Sequence, residues 1–414
     1  MSSKENFKIE SNKDKEKVHI EQIENLDFLV TQDRMILILT YLGEKPVSKI
    51  EIYFTERHPY LDLAEIIDQK ERLEQLLRTL GLEFKIVEKR IVDENGFEEI
   101  TFEFLISRDK KKIEELEKAI NEKDERKMGE LYGYPKTAVD AYVKSMRILR
   151  ESRKDEGDIL LESIFDRKKW FDSLSEEERS KLIEEGVLSF STFTFSKKHW
   201  REELEVVRRW QSIIRKKAPK LYQEIIESKA WYLMTEEEKM KWSKEVAEEE
   251  LNLIREKILK KAQELGIEIE EEIKEIVIML NAFDFRIANF YKGSVDKEPI
   301  CGPWILIGPP KTSPGEINEE LKNRLQKQQE WLKRRMINIL NRFYEERSVQ
   351  EDVKIVLVDT DIGFKIQNNG SDSLKFLVSE ERLKKLKDYQ QEFVDFANFL
   401  KEKYPDYLLY HTDP

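Results

Sequence analysis

Glu56, Arg57 and His58 put a carboxylate, a guanidinium and an imidazole in three consecutive positions, a set that can exchange protons near neutral pH. No nucleophile stands beside them in the sequence, and the plainer expectation is a turn after a strand. Asp359-Thr360-Asp361 sets two carboxylates one residue apart, which suits a hard cation held against a phosphate or nucleotide sugar. Two carboxylates are too few for a metal site, however, and Gly363 with a new strand directly after it predicts a polar hairpin turn. Gly308-Pro309-Pro310-Lys311-Thr312-Ser313 has the residue types of a phosphate loop without its spacing, and its prolines remove amides that would cradle phosphate. Cys301 is the only cysteine, so Cys301-Gly302-Pro303-Trp304 lacks the second thiol of a dithiol redox motif and reads as packed structure.

Arg201, Arg208 and Arg215 recur every seven residues and would line one helical stripe, with Lys197, Lys198 and His199 at its start and Trp200 and Trp210 nearby. Such a stripe could bind phosphate or stack a base. Glu202, Glu203 and Glu205 sit among these cations, so the stripe is expected to be a solvated ion-pair face.

The most distinctive segment runs from Gly129 to Tyr142 and contains Leu131-Tyr132-Gly133-Tyr134-Pro135. Gly133 permits a tight or left-handed bend, Pro135 suits a first helical turn, and Ala138, Val139 and Tyr142 would form the inner face of the next helix. The segment resembles an uncharacterised prokaryotic domain family, best represented in archaea, with a Leu-x-Gly-Tyr-Pro turn followed by paired cysteines and an aromatic residue. The same family carries a downstream Pro-Cys-Ser-x-x-Cys segment that leads into a helix with Arg-Trp and Ala-Pro pairs. Leu131, Gly133, Tyr134, Pro135 and Tyr142 match the first motif, and Ser196, Arg209, Trp210, Ala218 and Pro219 match parts of the second. The likeness spans roughly residues 65 to 225.

Thr137 and Ala138 stand where the paired cysteines would be, and Phe193-Thr194-Phe195-Ser196 has none. Any thiol chemistry of that family is therefore absent here, and no catalytic residue is carried across. The leading expectation is an intracellular ligand-binding or protein-interaction protein without a cofactor or metal. The alternative is an enzyme acting on a small anionic substrate between the Gly-Tyr-Pro turn and a helix start at Ser196, where helix N-termini favour anions. Tyr134, Asp140, His199 and Arg208 would orient that substrate. Local nucleic-acid binding through Arg201, Arg208 and Arg215 is a third reading.

The elements that must position these groups are legible as patterns. Met35 to Tyr41 and Lys49 to Phe54 read as strands joined by a turn at Gly43-Glu44-Lys45-Pro46. A helix over Leu61 to Leu80, stopped by Gly81, precedes strands over Glu83 to Ile91 and Glu99 to Ser107. Capping boxes are expected at Ser175 and Thr235, and a helix break at Ala218-Pro219. Ser313, Pro314 and Glu316 would begin a long helix ending near Arg347; strands follow over Val353 to Val358, Gly363 to Ile366 and Leu374 to Val378, then a last helix from Glu380. Long amphipathic stretches such as Leu321 to Phe343 and Leu386 to Leu400 are expected to be core.

The fold class is α+β with helix predominating: an N-terminal β-β-α-β-β-α unit, a helical middle region, and a C-terminal helix, small antiparallel sheet and helix. The expected divisions are a disordered leader over 1–17, a small α+β domain over 18–109, a helical domain over 110–291, a Pro/Gly-rich loop over 292–315 and a C-terminal α+β element over 316–414. The chain has 414 residues with 73 basic and 85 acidic side chains, a net charge of −12 that disfavours indiscriminate nucleic-acid coating. The polar start and the shortness of every apolar burst predict neither a signal peptide nor a membrane span, hence a cytoplasmic protein.

Overall fold

The structure, a computed structural model, describes residues 3–152, 170–196, 198–228, 233–295, 299–308, 318–345, 347–361 and 363–410. It is a helix-dominated α+β protein with two small antiparallel sheets. The chain forms two compact units: one comprises Met1–Tyr53, Ala64–Lys89 and Thr101–Thr235, the other Phe54–Leu63, Arg90–Ile100 and Glu236–Pro414. No helix among the described residues is long and apolar enough to cross a membrane.

The chain begins with helices α1 (Ser3–Glu24) and α2 (Thr31–Tyr41), then β1 (Val47–Thr55), α3 (Leu63–Leu80), β2 (Glu83–Val92) and β3 (Glu98–Ser107), with strand order β1-β3-β2. The expected β-β-α-β-β-α start is thus corrected to α-α-β-α-β-β. Met35, Leu37, Ile38 and Leu39 of α2 are all buried, and a short apolar run buried on every side has no period by which strand and helix could be told apart. Gly81 stops α3 at φ +66, and Gly96 turns β2 into β3 at φ +86.

Helices α4 (Lys110–Asn121), α5 (Glu125–Leu131), α6 (Lys136–Ser152), α7 (Glu176–Glu185), α8 (Trp200–Lys217) and α9 (Pro219–Glu227) complete the first unit. Ser175 and Glu178 form the expected capping box of α7. Ala218 leaves helical geometry at ψ 67 before Pro219 opens α9, as the Ala-Pro pair requires. Val47, Leu105, Ile113, Leu116 and Leu131 form one core cluster of this unit.

In the second unit α10 (Glu236–Glu264) and α11 (Glu271–Ala282) precede β4 (Ile287–Tyr291) and β5 (Trp304–Ile307); α12 (Glu319–Tyr344), β6 (Ile355–Thr360), β7 (Gly363–Asn368) and α13 (Ser379–Tyr410) follow. The sheet runs β4-β5-β7-β6, every pair antiparallel, with Phe290 opposite Ile305, Ile305 opposite Ile366, and Leu357 opposite Ile366. Two of these strands lie in the stretch expected to be helix and loop, and Leu374 to Val378 is no strand: Ser371–Phe376 is a 3-10 helix. Asn318 caps α12, accepting from Leu321 N at 2.8 Å; the phosphate-loop-like run from Pro309 and the expected Ser313 start lie outside the described residues. Ile276 and Leu280 of α11, Met336 and Ile339 of α12, and Phe393 and Phe396 of α13 share one core with Ile305 and Ile366 of the sheet. Each such side chain contributes about 1.5–3 kcal/mol on burial.

Candidate functional site

The four residues expected to hold an anion all lie in the first unit, and each has a described neighbour there. The Tyr134 ring lies 5.5 Å from Phe193, so the Gly-Tyr-Pro turn does meet the Phe193–Ser196 segment. Asp140, however, pairs with Arg126, and Arg208 with Glu185 at 2.8 Å and Glu205 at 2.7 Å. His199 is the residue before α8, with its side chain capping no amide, its backbone N–H donating to Ser196 Oγ at 3.0 Å and its Nδ1 3.7 Å from Glu202. Arg201 is bound to Glu178, so two of the three stripe arginines are neutralised, while Arg215 lies over the Tyr222 ring at 5.8 Å. Asp359 of the polar hairpin is held by Lys333 at 2.6 Å, and Cys301 is buried with its Sγ 3.7 Å from Pro299 O.

The second unit gathers chemistry around Glu56-Arg57-His58. Phe283-Asp284-Phe285 follows the end of α11, and burial of both phenylalanines fixes the carboxylate between them in the interior. Asp284 adopts φ +65, a left-handed backbone conformation that Asp tolerates better than most residues. Its Oδ1 lies 2.7 Å from His58 Nδ1, its Oδ2 accepts from Tyr407 OH at 2.5 Å, and buried Arg335 stands 3.7 Å away. An ionised carboxylate only accepts, so the proton of neutral His58 sits on Nδ1 and Nε2 keeps its lone pair.

Burial works against a charged His58, but the hydrogen bond and charge of Asp284, helped by Glu250 and opposed by Arg57, raise its pKa above the ordinary value. Burial also raises Glu250, which accepts from Tyr60 OH at 3.3 Å and hydrogen-bonds Tyr404. Burial and the neighbouring carboxylates push the Tyr60, Tyr404 and Tyr407 phenols well above their usual range, so all three remain donors. No group of three or more His, Cys, Asp or Glu among the described residues could hold a metal.

No family model, curated protein or solved structure matches this chain. The site therefore rests on its own geometry.

Asp284 also lines a small cleft of about 10 Å³, room for about one water, together with Glu56, Arg286 and Gln328 over Phe97 and Leu332. Glu56 is spoken for: its carboxylate accepts from Arg324 at 3.0 Å, from Gln328 at 3.2 Å and from Glu98 N at 2.9 Å. Arg57 is pinned to Asp93, its Nε 2.9 Å from Oδ2, beside the rings of Phe97 and Trp331. Arg286 is different. It makes no ion pair among the described residues, and its guanidinium has one long hydrogen bond, 3.4 Å from Nη2 to Glu56 O. Burial lowers its pKa, and the charge of Glu56 offsets that only in part. A half-buried guanidinium without a carboxylate partner, on the wall of a cleft, is a seat for an oxyanion.

Sequence reasoning had noted Glu56-Arg57-His58 but missed Asp284, Arg286, Arg335 and Tyr407. One signal was present. Gln328 and Arg335 occupy the same buried face of α12 as Leu332, Met336 and Ile339, and polar residues on a core stripe mark a buried polar network.

Proposed function

We propose that this is an intracellular ligand-binding protein whose second unit takes a small oxyanion substrate at Arg286 and carries out acid–base chemistry with His58. The observation that carries the reading is Asp284: one carboxylate orients His58, is steadied by Tyr407 and Arg335, and forms part of the wall that holds Arg286. Nε2 of His58 has no partner among the described residues, and the side chain is 37% exposed, so it can reach solvent or substrate. In its neutral form His58 can accept a proton at Nε2 from a water or a substrate hydroxyl. The imidazolium so formed is stabilised by Asp284, and Arg286 meets the negative charge of the substrate. Arg335, 3.7 Å from Asp284, compensates the charge of the carboxylate.

Calorimetric titration with pyrophosphate as the probe tests the binding half of this reading. Wild-type protein should bind it, and Arg286→Met should lose at least tenfold in affinity with unchanged folding. Equal binding by the two proteins, or none by either, contradicts the reading. The resemblance of the Gly-Tyr-Pro segment to a prokaryotic domain family supplies no residue to this site and remains a separate proposal about the first unit.

A further inference from the structure

Lys45 of the first unit is only 2% exposed, in the turn between α2 and β1. Its Nζ stands 4.7 Å above the Tyr134 ring and 4.4 Å above the Trp210 ring, and Phe193 lies 5.5 Å and 6.0 Å from those two rings. The one described hydrogen bond of Nζ goes to Thr192 Oγ1 at 3.3 Å, and the ammonium has no carboxylate partner among the described residues. The Gly-Tyr-Pro turn closes over it: a Cβ at Gly133 would come within 2.9 Å of Pro46 Cδ. The Trp210 indole N–H is buried with no acceptor. An ammonium with one hydrogen bond in an aromatic box costs stability that a methionine of similar length would not, which is the usual sign of a group kept for its chemistry.

We propose that Lys45 is a nucleophilic amine that condenses with a small uncharged aldehyde held against the rings of Tyr134, Phe193 and Trp210. The box offers flat apolar faces and no described cation, so it suits a neutral carbonyl compound rather than a keto acid. The amine lone pair attacks the carbonyl carbon, the carbon–oxygen double bond opens, and both amine protons leave with that oxygen as water. A carbon–nitrogen double bond remains, with no change of oxidation state. The Thr192 hydroxyl is placed to pass a proton to the departing oxygen, and the unpaired indole N–H is a donor for it. Burial brings the Lys45 pKa down to about 7. About half of this amine is neutral at pH 7, against roughly one in 2,500 for an exposed lysine.

The full chain, treated with propanal and cyanoborohydride at pH 7 and mapped by peptide mass, tests this. Lys45 should be propylated at least tenfold faster than Lys118 and Lys322, whose side chains are 74% and 69% exposed. Modification of Lys45 no faster than of those two overturns the proposal. Thr192→Val should slow Lys45 at least fivefold without changing its melting temperature or the rates at the exposed lysines. A folded Thr192→Val protein that reacts as fast as wild type also counts against it, since the box would then lack its proton relay.

Discussion

Asp284 and His58 are 226 residues apart in sequence, yet Oδ1 and Nδ1 meet at 2.7 Å, and the carboxylate reaches that position from a backbone bent to φ +65. A buried carboxylate in left-handed backbone, with both oxygens engaged and an arginine beside it, fixes the imidazole in one tautomer and one orientation.

Asp284→Asn removes the charge but keeps the shape. Arg335 is then a buried cation without its counter-charge, and the second unit should lose about 3–5 kcal/mol in denaturant unfolding. Asp284→Gly relieves the backbone strain and should still be destabilised, because Arg335 and Tyr407 lose the carboxylate they share.

His58 should titrate above its ordinary value, and Asp284→Asn should bring it down. Because the folded-state pKa is the higher one, the stabilisation from the His58 pair is fully present below the unfolded pKa of about 6.5 and is lost as pH rises through the folded value. Comparing the unfolding of wild type and His58→Gln from pH 5 to 9 checks the sign: the difference should shrink with rising pH.

Lys45→Met should stabilise the first unit at pH 7, by of the order of 2–4 kcal/mol. Here the folded pKa, about 7, is the lower one. The unfolded chain binds the extra proton, so wild-type stability should climb between pH 7 and about 10.4 while the Lys45→Met protein stays flat over that window. Thermal melts of both proteins across it read this directly.

Gly96→Ala places a Cβ 2.6 Å from Arg324 O in a residue at φ +86, so backbone must move. The Gln328 hydrogen bond to Gly96 O, 2.8 Å, and with it the setting of Glu56, should loosen. A loss of about 2 kcal/mol or more is expected in chemical denaturation.

The elements were largely legible from the sequence because local devices specify them. Gly81, the Ser175–Glu178 capping box and the Ala218-Pro219 break each act within one turn of chain, and all three stand where expected. Met35 to Tyr41 was misread as a strand because burial on all sides erases the period that local pattern needs. The stripe Tyr389, Phe393, Phe396 and Leu400 continues in the same 3-4 rhythm to Tyr404 and Tyr407, which carries a site tyrosine into α13. Pairing was not legible. Nothing near His58 announces Asp284, and nothing near Lys45 announces the rings of Tyr134 and Trp210, since such contacts depend on how distant elements pack. Part of what engages Arg208 and Asp140 was hidden as well, since Glu185 and Arg126 lie 23 and 14 residues away, whereas the nearer Glu205 was legible.

The measurement that bears most directly on the central claim is the imidazole NMR spectrum of the full chain, with His58 assigned by His58→Gln, during titration with pyrophosphate. The account predicts that the His58 signals shift on addition, that its pKa rises further as the bound anion adds negative charge, and that Arg286→Met abolishes both effects. His58 signals that ignore pyrophosphate, or that respond equally in Arg286→Met, would contradict it.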